Sequence, residues 1–214
     1  MSKQWYKSTI AKEEVSNYPS EVFPGRIFVI QTHSEAIRAT EYLKREPLLG
    51  FDTETKPARK KGEIHFISLI QISTEDTCFL FRPLKDAKIL DEINEIFSNE
   101  EIIKIGLSLK DDFRGMRNLM KNFDPHNFID LQAYVKQFGI LDNGLSRIYV
   151  NLFNKRIAKS QRLSNWEADF LTREQRKYAA LDAWATRRIY NELEEFRTND
   201  EYIPKYDINQ TINK

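Results

Sequence analysis

Little in this sequence could staple, stretch or embed a protein. A single cysteine, Cys78, stands among 214 residues, so no disulfide can close within the chain and no cysteine zinc cluster can assemble. A reducing, cytoplasmic setting is the expectation. Seven glycines and seven prolines are about half the usual usage of roughly 12% together, which excludes collagenous and low-complexity chains and favours regular elements joined by short loops. No apolar run approaches the roughly 18 to 20 residues of a membrane span, and the start, MSKQWYKSTIAKEEV, has no hydrophobic block of a secretory leader. A soluble domain without a membrane partner is expected, long enough for a core of its own.

Net charge is also lacking, at +1 from 33 basic and 32 acidic residues. The distribution is uneven. Lys56, Arg59, Lys60 and Lys61 form one stretch without an acid, and Arg147, Lys155, Arg156, Lys159 and Arg162 form another between Asn143 and Asn165. Acids gather at Asp91, Glu92, Glu95, Glu100 and Glu101, and again at Glu192, Glu194, Glu195, Asp200 and Glu201. A solvated face is the ordinary reading of a charge run; two acid-free basic stretches on a neutral chain also suit a polyanion.

Periodicity predicts strands over 26–31, 48–54, 63–74, 77–81 and 102–107, and helices over 32–45, 89–97, 109–122, 130–138, 144–153 and 172–197. Strands early and helices late imply an α/β domain, with a mixed sheet of about five to six strands that starts with antiparallel hairpins and is flanked by helices. Residues 1–23 read as an extension docked through Trp5, Tyr6 and Phe23, 24–197 as the domain, and 198–214 as a polar tail.

Acids fall where apolar residues belong. In the second strand Leu49, Phe51 and Thr53 share one face, and Gly50, Asp52 and Glu54 the other. The two carboxylates would lie about 6 to 7 Å apart, repelling each other unless a cation intervenes or the strand runs out into solvent. The stripe Ala185, Ile189, Leu193, Phe196 of the last helix extends backwards onto Asp182 and Tyr178. A buried Asp182 needs a partner, either an arginine or a metal ion. Thr172 and Gln175 form a capping box that sets the register of this helix. Stepping back from Met116 on the helix after the fifth strand reaches Asp112, whereas Asp111 falls on the polar side and, with Ser108, suits a capping box. Four converging carboxylates would carry about −4, tolerable only beside multivalent cations. With oxygen donors, no cysteine cluster and scattered His33, His65 and His126, Mg²⁺ or Mn²⁺ fits better than zinc.

Phe51-Asp52-Thr53-Glu54, Ile105-Gly106 with Asp112 six residues after the glycine, and Tyr178-Ala-Ala-Leu-Asp182 together resemble the three motifs of the DEDDy 3′-5′ exonucleases. Leu145 to Trp166, with Leu171-Thr172 and Gln175, is similar to the ribonuclease D and Werner-syndrome exonuclease branch, and the similarity spans roughly 24–196. One departure is that Ser108 and Asp111 stand where many members have an asparagine and an aromatic residue. The resemblance implies a ribonuclease H-like fold and removal of nucleoside 5′-monophosphates, one at a time, from a DNA or RNA 3′ end. It implies two ions, with Asp52 bridging both, Glu54 and Asp182 holding the one that activates water, Asp112 supporting the other, and Tyr178 orienting the water. Both basic stretches flank these motifs, so Lys56, Arg59, Lys60, Lys61, Lys155, Arg156, Lys159 and Arg162 become candidate phosphate contacts, and Thr53 and Thr55 candidate contacts to the terminal nucleotide. Trp166 and Cys78 are expected in the core. The alternatives are a catalytically weak nucleic-acid-binding or scaffold module of the same fold, a two-metal endonuclease, and an interaction protein with surface acids.

Overall fold

The computed structural model describes residues 6–198. Trp5, the acids Asp200 and Glu201, and all but the first residue of the expected polar tail lie outside the described residues. Among the described residues, six strands form one mixed sheet: β1 (Arg26–Ile30), β2 (Leu48–Thr55), β3 (Ile67–Ser73), β4 (Thr77–Phe81), β5 (Ile103–Gly106) and β6 (Phe128–Asp130). Their order across the sheet is β1-β4-β3-β2-β5-β6. β2, β3 and β4 pair antiparallel, while β1 on β4, β5 on β2 and β6 on β5 are parallel. The helices are α1 (His33–Leu43), α2 (Ile89–Phe97), α3 (Leu109–Leu119), α4 (Leu131–Tyr134), α5 (Leu145–Phe153) and α6 (Arg173–Thr198). Among the described residues, no helix is long and apolar enough to cross a membrane.

The period of two along the strands sorts the residues into two layers. Leu49, Phe51, Ile70, Ile72, Phe79 and Phe81 pack against Ala36, Ala39 and Leu43 of α1 and Ile93, Ile96 and Phe97 of α2. Leu69, Cys78, Leu80 and Ile105 pack on the other side against Ala179, Leu181, Ala185 and Ile189 of α6. Trp166 and Cys78 are fully buried, as expected. α6 can sit directly on β2 because position 50 is glycine: a Cβ there would lie 1.9 Å from the Ala183 carbonyl oxygen. Thr186 adds a hydroxyl bond to the Ile105 carbonyl at 2.8 Å. The expected capping box starts α6, with Thr172 and Gln175 each accepting from the other's backbone N–H at 2.9 and 3.1 Å.

Four local expectations need correction. The third strand begins at Ile67 rather than 63, because the Glu63 carboxylate turns back to accept the Arg59 and Lys60 N–H groups. Residues 128–130 form a strand, and 131–138 a short helix followed by a 3₁₀ turn that ends at Gly139, φ 76°. α3 stops at Leu119 rather than 122. The Ser108–Asp111 capping box does not form. Ser108 adopts a left-handed conformation, φ 62°, with no side-chain cap; Asp130, from β6, accepts the Ser108 and Leu109 N–H groups instead. Asp111 pairs with Arg114 on the surface.

Residues 6–23 lie along the domain. Tyr6 packs on Phe196, with ring centroids 5.1 Å apart, and Phe23 meets Trp184 edge-on at 5.8 Å. The stretch contains one 3₁₀ turn, Glu14–Asn17.

Candidate active site

β2 carries Asp52 and Glu54 on the side facing α6, and the close seat of α6 over Gly50 brings Asp182 to meet them. One carboxylate oxygen from each of Asp52, Glu54 and Asp182 lies within 4.8 Å of the other two. Glu54 and Asp182 are buried and Asp52 is half-buried. Asp112 stands outside this triplet, yet its charge acts on both Asp52 and Glu54. The Thr53 hydroxyl donates to the Asp112 carboxylate, fastening α3 to β2.

Burial and mutual repulsion push these acids toward their neutral forms. Glu54 rises to about 8, first through burial and then through the charges of Asp182 and Asp112, with Arg162 opposing. Asp182 rises to about 7 through burial, against a hydrogen bond from Tyr178 and the charge of Lys159. Asp112 is pushed up to about 6 by burial, with the Thr53 bond pulling the other way. Asp52 lies well above the usual carboxylate range, through burial and then the charges of Asp182, Asp112 and Glu54. Among the described residues, no lysine or arginine forms an ion pair with any of the four. The arginine alternative for Asp182 is therefore not realised, and neither is a solvent-exposed end for the strand pair.

The Tyr178 hydroxyl bonds Asp182, one helical turn away. Burial and the neighbouring carboxylates raise this phenol above the ordinary tyrosine range, so it stays protonated. Its O–H donates to Asp182, and its oxygen retains acceptor capacity for a water.

The basic residues separate by environment. The charges of Lys159 and Arg162 reach Asp182 and Glu54 respectively. Lys56 is bound to Glu167 at 2.9 Å, and Lys155 to buried Glu21 at 3.1 Å. Arg156 donates from Nε to the Tyr18 carbonyl at 3.0 Å. Thr55, the last residue of β2, and Arg59, Lys60 and Lys61, on the segment joining β2 to β3, are exposed.

Sequence reasoning missed two features. Gln71, fully buried and directly opposite Asp52 in the β2–β3 register, has no hydrogen-bond partner among the described residues for either end of its amide. A lone amide within ISLIQIS was the available signal. Glu167 accepts from Lys56 and pairs with His65 at 2.9 Å, latching the β2–β3 segment to the chain before α6. No local pattern announces a contact made more than a hundred residues apart. All three histidines are committed elsewhere, His33 to Glu92, His65 to Glu167 and His126 to Asp124. Buried oxygen donors with no ion-paired cation among the described residues, beside the Gln71 amide, fit a hard, hydrated divalent cation.

The model of the 3′-5′ exonuclease family matches residues 27–196. The chain is 25% identical over 197 residues to the exonuclease mut-7 homolog of Aedes aegypti, covering 80% of this chain and 27% of that protein. It is 26% identical over 192 residues to the mouse bifunctional 3′-5′ exonuclease/ATP-dependent helicase WRN, covering 83% of this chain and 13% of that protein. It thus spans less than a third of either relative. The structure of Trypanosoma brucei RNase D in complex with RNA U12 superimposes with a TM-score of 0.70 at 18% identity, over 80% of this chain and 63% of that one. The fold is the ribonuclease H-like mixed sheet flanked by helices.

Proposed function

The chain belongs to the 3′-5′ exonuclease family, and from that premise we propose that it is a metal-dependent hydrolase removing nucleoside 5′-monophosphates from the 3′ end of a DNA or RNA strand. The observation that carries this reading is the triplet of Asp52, Glu54 and Asp182, with oxygens within 4.8 Å of one another and no lysine or arginine ion-paired to them among the described residues. Asp52, Glu54 and Asp182, supported by Asp112, would hold two divalent ions, Mg²⁺ or Mn²⁺. Such ions would supply activation of a water and stabilisation of charge on the phosphoryl oxygens.

The chain's own groups do the rest. Tyr178, kept protonated, anchors Asp182 through its O–H and orients the attacking water through its oxygen. Thr53 holds Asp112 in place. Lys159 and Arg162 bring positive charge to the phosphates of the last nucleotides. The water oxygen bonds to the terminal phosphorus as the bond from that phosphorus to the preceding 3′ oxygen breaks. A 5′-monophosphate leaves, and the shortened strand keeps a free 3′ hydroxyl. A cytoplasmic setting suits the unpaired Cys78.

The test is digestion of a 5′-labelled single strand with Mg²⁺, with Mn²⁺ and with EDTA. A ladder shortening from the 3′ end, dependent on either ion and accompanied by mononucleotide, is expected. Cutting of a circular strand would indicate an endonuclease instead, and binding without shortening in either metal would indicate a non-catalytic module.

A further inference from the structure

Residues 6–23 have no part in the chemistry described above, yet they are held firmly. The Leu141 N–H bonds the Ser8 carbonyl at 2.7 Å, and the Ile10 N–H bonds buried Asp142 at 2.8 Å. Buried Glu21 accepts from the Tyr149 hydroxyl at 2.9 Å and pairs with Lys155 at 3.1 Å and Arg188 at 2.8 Å. This anchorage brings Lys12 and Ser16 opposite the start of α5, where they close a cavity of about 460 Å³ with Ser146, Arg147, Arg156 and Lys159.

Among the described residues, four cations and no carboxylate line that cavity. Arg147 is paired with Asp142 at 3.3 Å, behind the lining. Lys12 and Lys159 have no ion-pair partner among the described residues. Gathering like charges costs repulsion that solvent screens only in part, and the chain has almost as many acids as bases with which to relieve it. Lys159 belongs to two places at once, since it lines this cavity while its charge acts on Asp182. Lys159 therefore couples the basic cavity electrostatically to the carboxylate site. Its charges come from three separate segments, Lys12, Arg147 and the pair Arg156 and Lys159, which suits an extended polyanion better than a single compact anion.

We propose that this cavity binds the sugar-phosphate backbone of the single strand under degradation, several nucleotides before its 3′ end, with residues 12–16 as one wall. The assignment rests on the exonuclease reading for which end of the strand lies at the carboxylates. It gives the N-terminal stretch a role in holding substrate, and adds Lys12 and Arg147 to the phosphate contacts.

Fluorescence anisotropy of 5′-labelled oligothymidylates in EDTA tests binding without requiring hydrolysis. Lys12 is exposed, so Lys12→Glu leaves the core untouched. It should weaken binding of a twelve-nucleotide strand by about ten-fold and lower the slope of log affinity against log salt by about 0.7 or more. A four-nucleotide strand, confined to the carboxylate end, should change by less than about two-fold. Lys12→Arg should bind like the parent, and so should Lys121→Glu, which reverses an exposed charge away from the cavity. An unchanged affinity and salt slope for the longer strand in Lys12→Glu, or equal weakening of both lengths, overturns the proposal. Failure of the parent protein to shorten any strand with Mg²⁺ or Mn²⁺ would instead overturn the exonuclease reading, while the anisotropy result still decides the cavity.

Discussion

The two faces of β2 are one residue apart in sequence and opposite in what they cost. On one, Phe51 is buried edge-on between Phe97 and Phe128, with centroids 5.2 and 5.6 Å away. On the other, Asp52 and Glu54 are pressed against Asp182 beneath α6. The first face is favourable under any condition because burial of apolar surface needs no partner from outside. The second is unfavourable until a cation arrives, because close carboxylates out of water repel one another and resist ionisation. One face holds the fold together, and the strand's rigidity lets the other keep its charges in place.

The widest separation between the faces should come from Asp182→Asn. Loss of several kcal/mol of transition-state stabilisation predicts a fall in cleavage of about 10³-fold, together with a higher melting temperature in EDTA at pH 8.5, where a repelling charge has been removed. Retained cleavage, or a lower melting temperature, would break the comparison. Phe51→Ala tests the opposite face. It should destabilise the fold by about 3 to 5 kcal/mol, equally in EDTA and in Mn²⁺, as read by urea unfolding. A metal-dependent cost would mean that the faces are not separable.

Tyr178→Phe removes one hydroxyl without altering the packing. Turnover should drop about 10²-fold with Mn²⁺ affinity by calorimetry nearly unchanged, and equal losses in both would count against an orienting role.

Glu54, Asp182 and Asp112, raised to about 8, 7 and 6, hold their protons to higher pH when folded than when unfolded. The folded state therefore binds more protons across the window from about pH 4 to about 8, and metal-free stability should fall as pH rises through it. Thermal melts at pH 5.5 and 8.5 in EDTA should show that fall, and Mn²⁺ should flatten it. A metal-free protein equally stable at both values would contradict the repulsion. The smallest effect is expected from Gln71→Met, which replaces an orphaned amide with an apolar chain of similar length. Metal-free stability should rise by about 1 kcal/mol. A loss of stability would show that the amide has a partner.

The inward placement of Asp52, Glu54 and Asp182 was legible because each breaks a pattern that its own element enforces, alternation in β2 and the apolar stripe in α6, and that of Tyr178 because it continues the same stripe. Asp112 was legible for the same reason, through Met116. Less could be read where a residue's environment comes from a distant segment. Ser108 looked like a cap until Asp130 took that role from β6, and 63–66 looked like strand until Glu63 and His65 found other partners. The candidate phosphate contacts divided for the same reason. Lys56 and Lys155 carry the same charge as Lys159 and Arg162, but only the fold supplied Glu167 and Glu21 to the first two.

Sequence alone determined which side chains face inward, since the periods of strand and helix are properties of the backbone and repeat over a few residues. It thereby identified acids that had to be compensated. The tertiary structure decided what compensates them. Partners, counter-charges and the distances between carboxylates depend on which segments the chain brings together, and electrostatic energy follows separation in space, not along the chain.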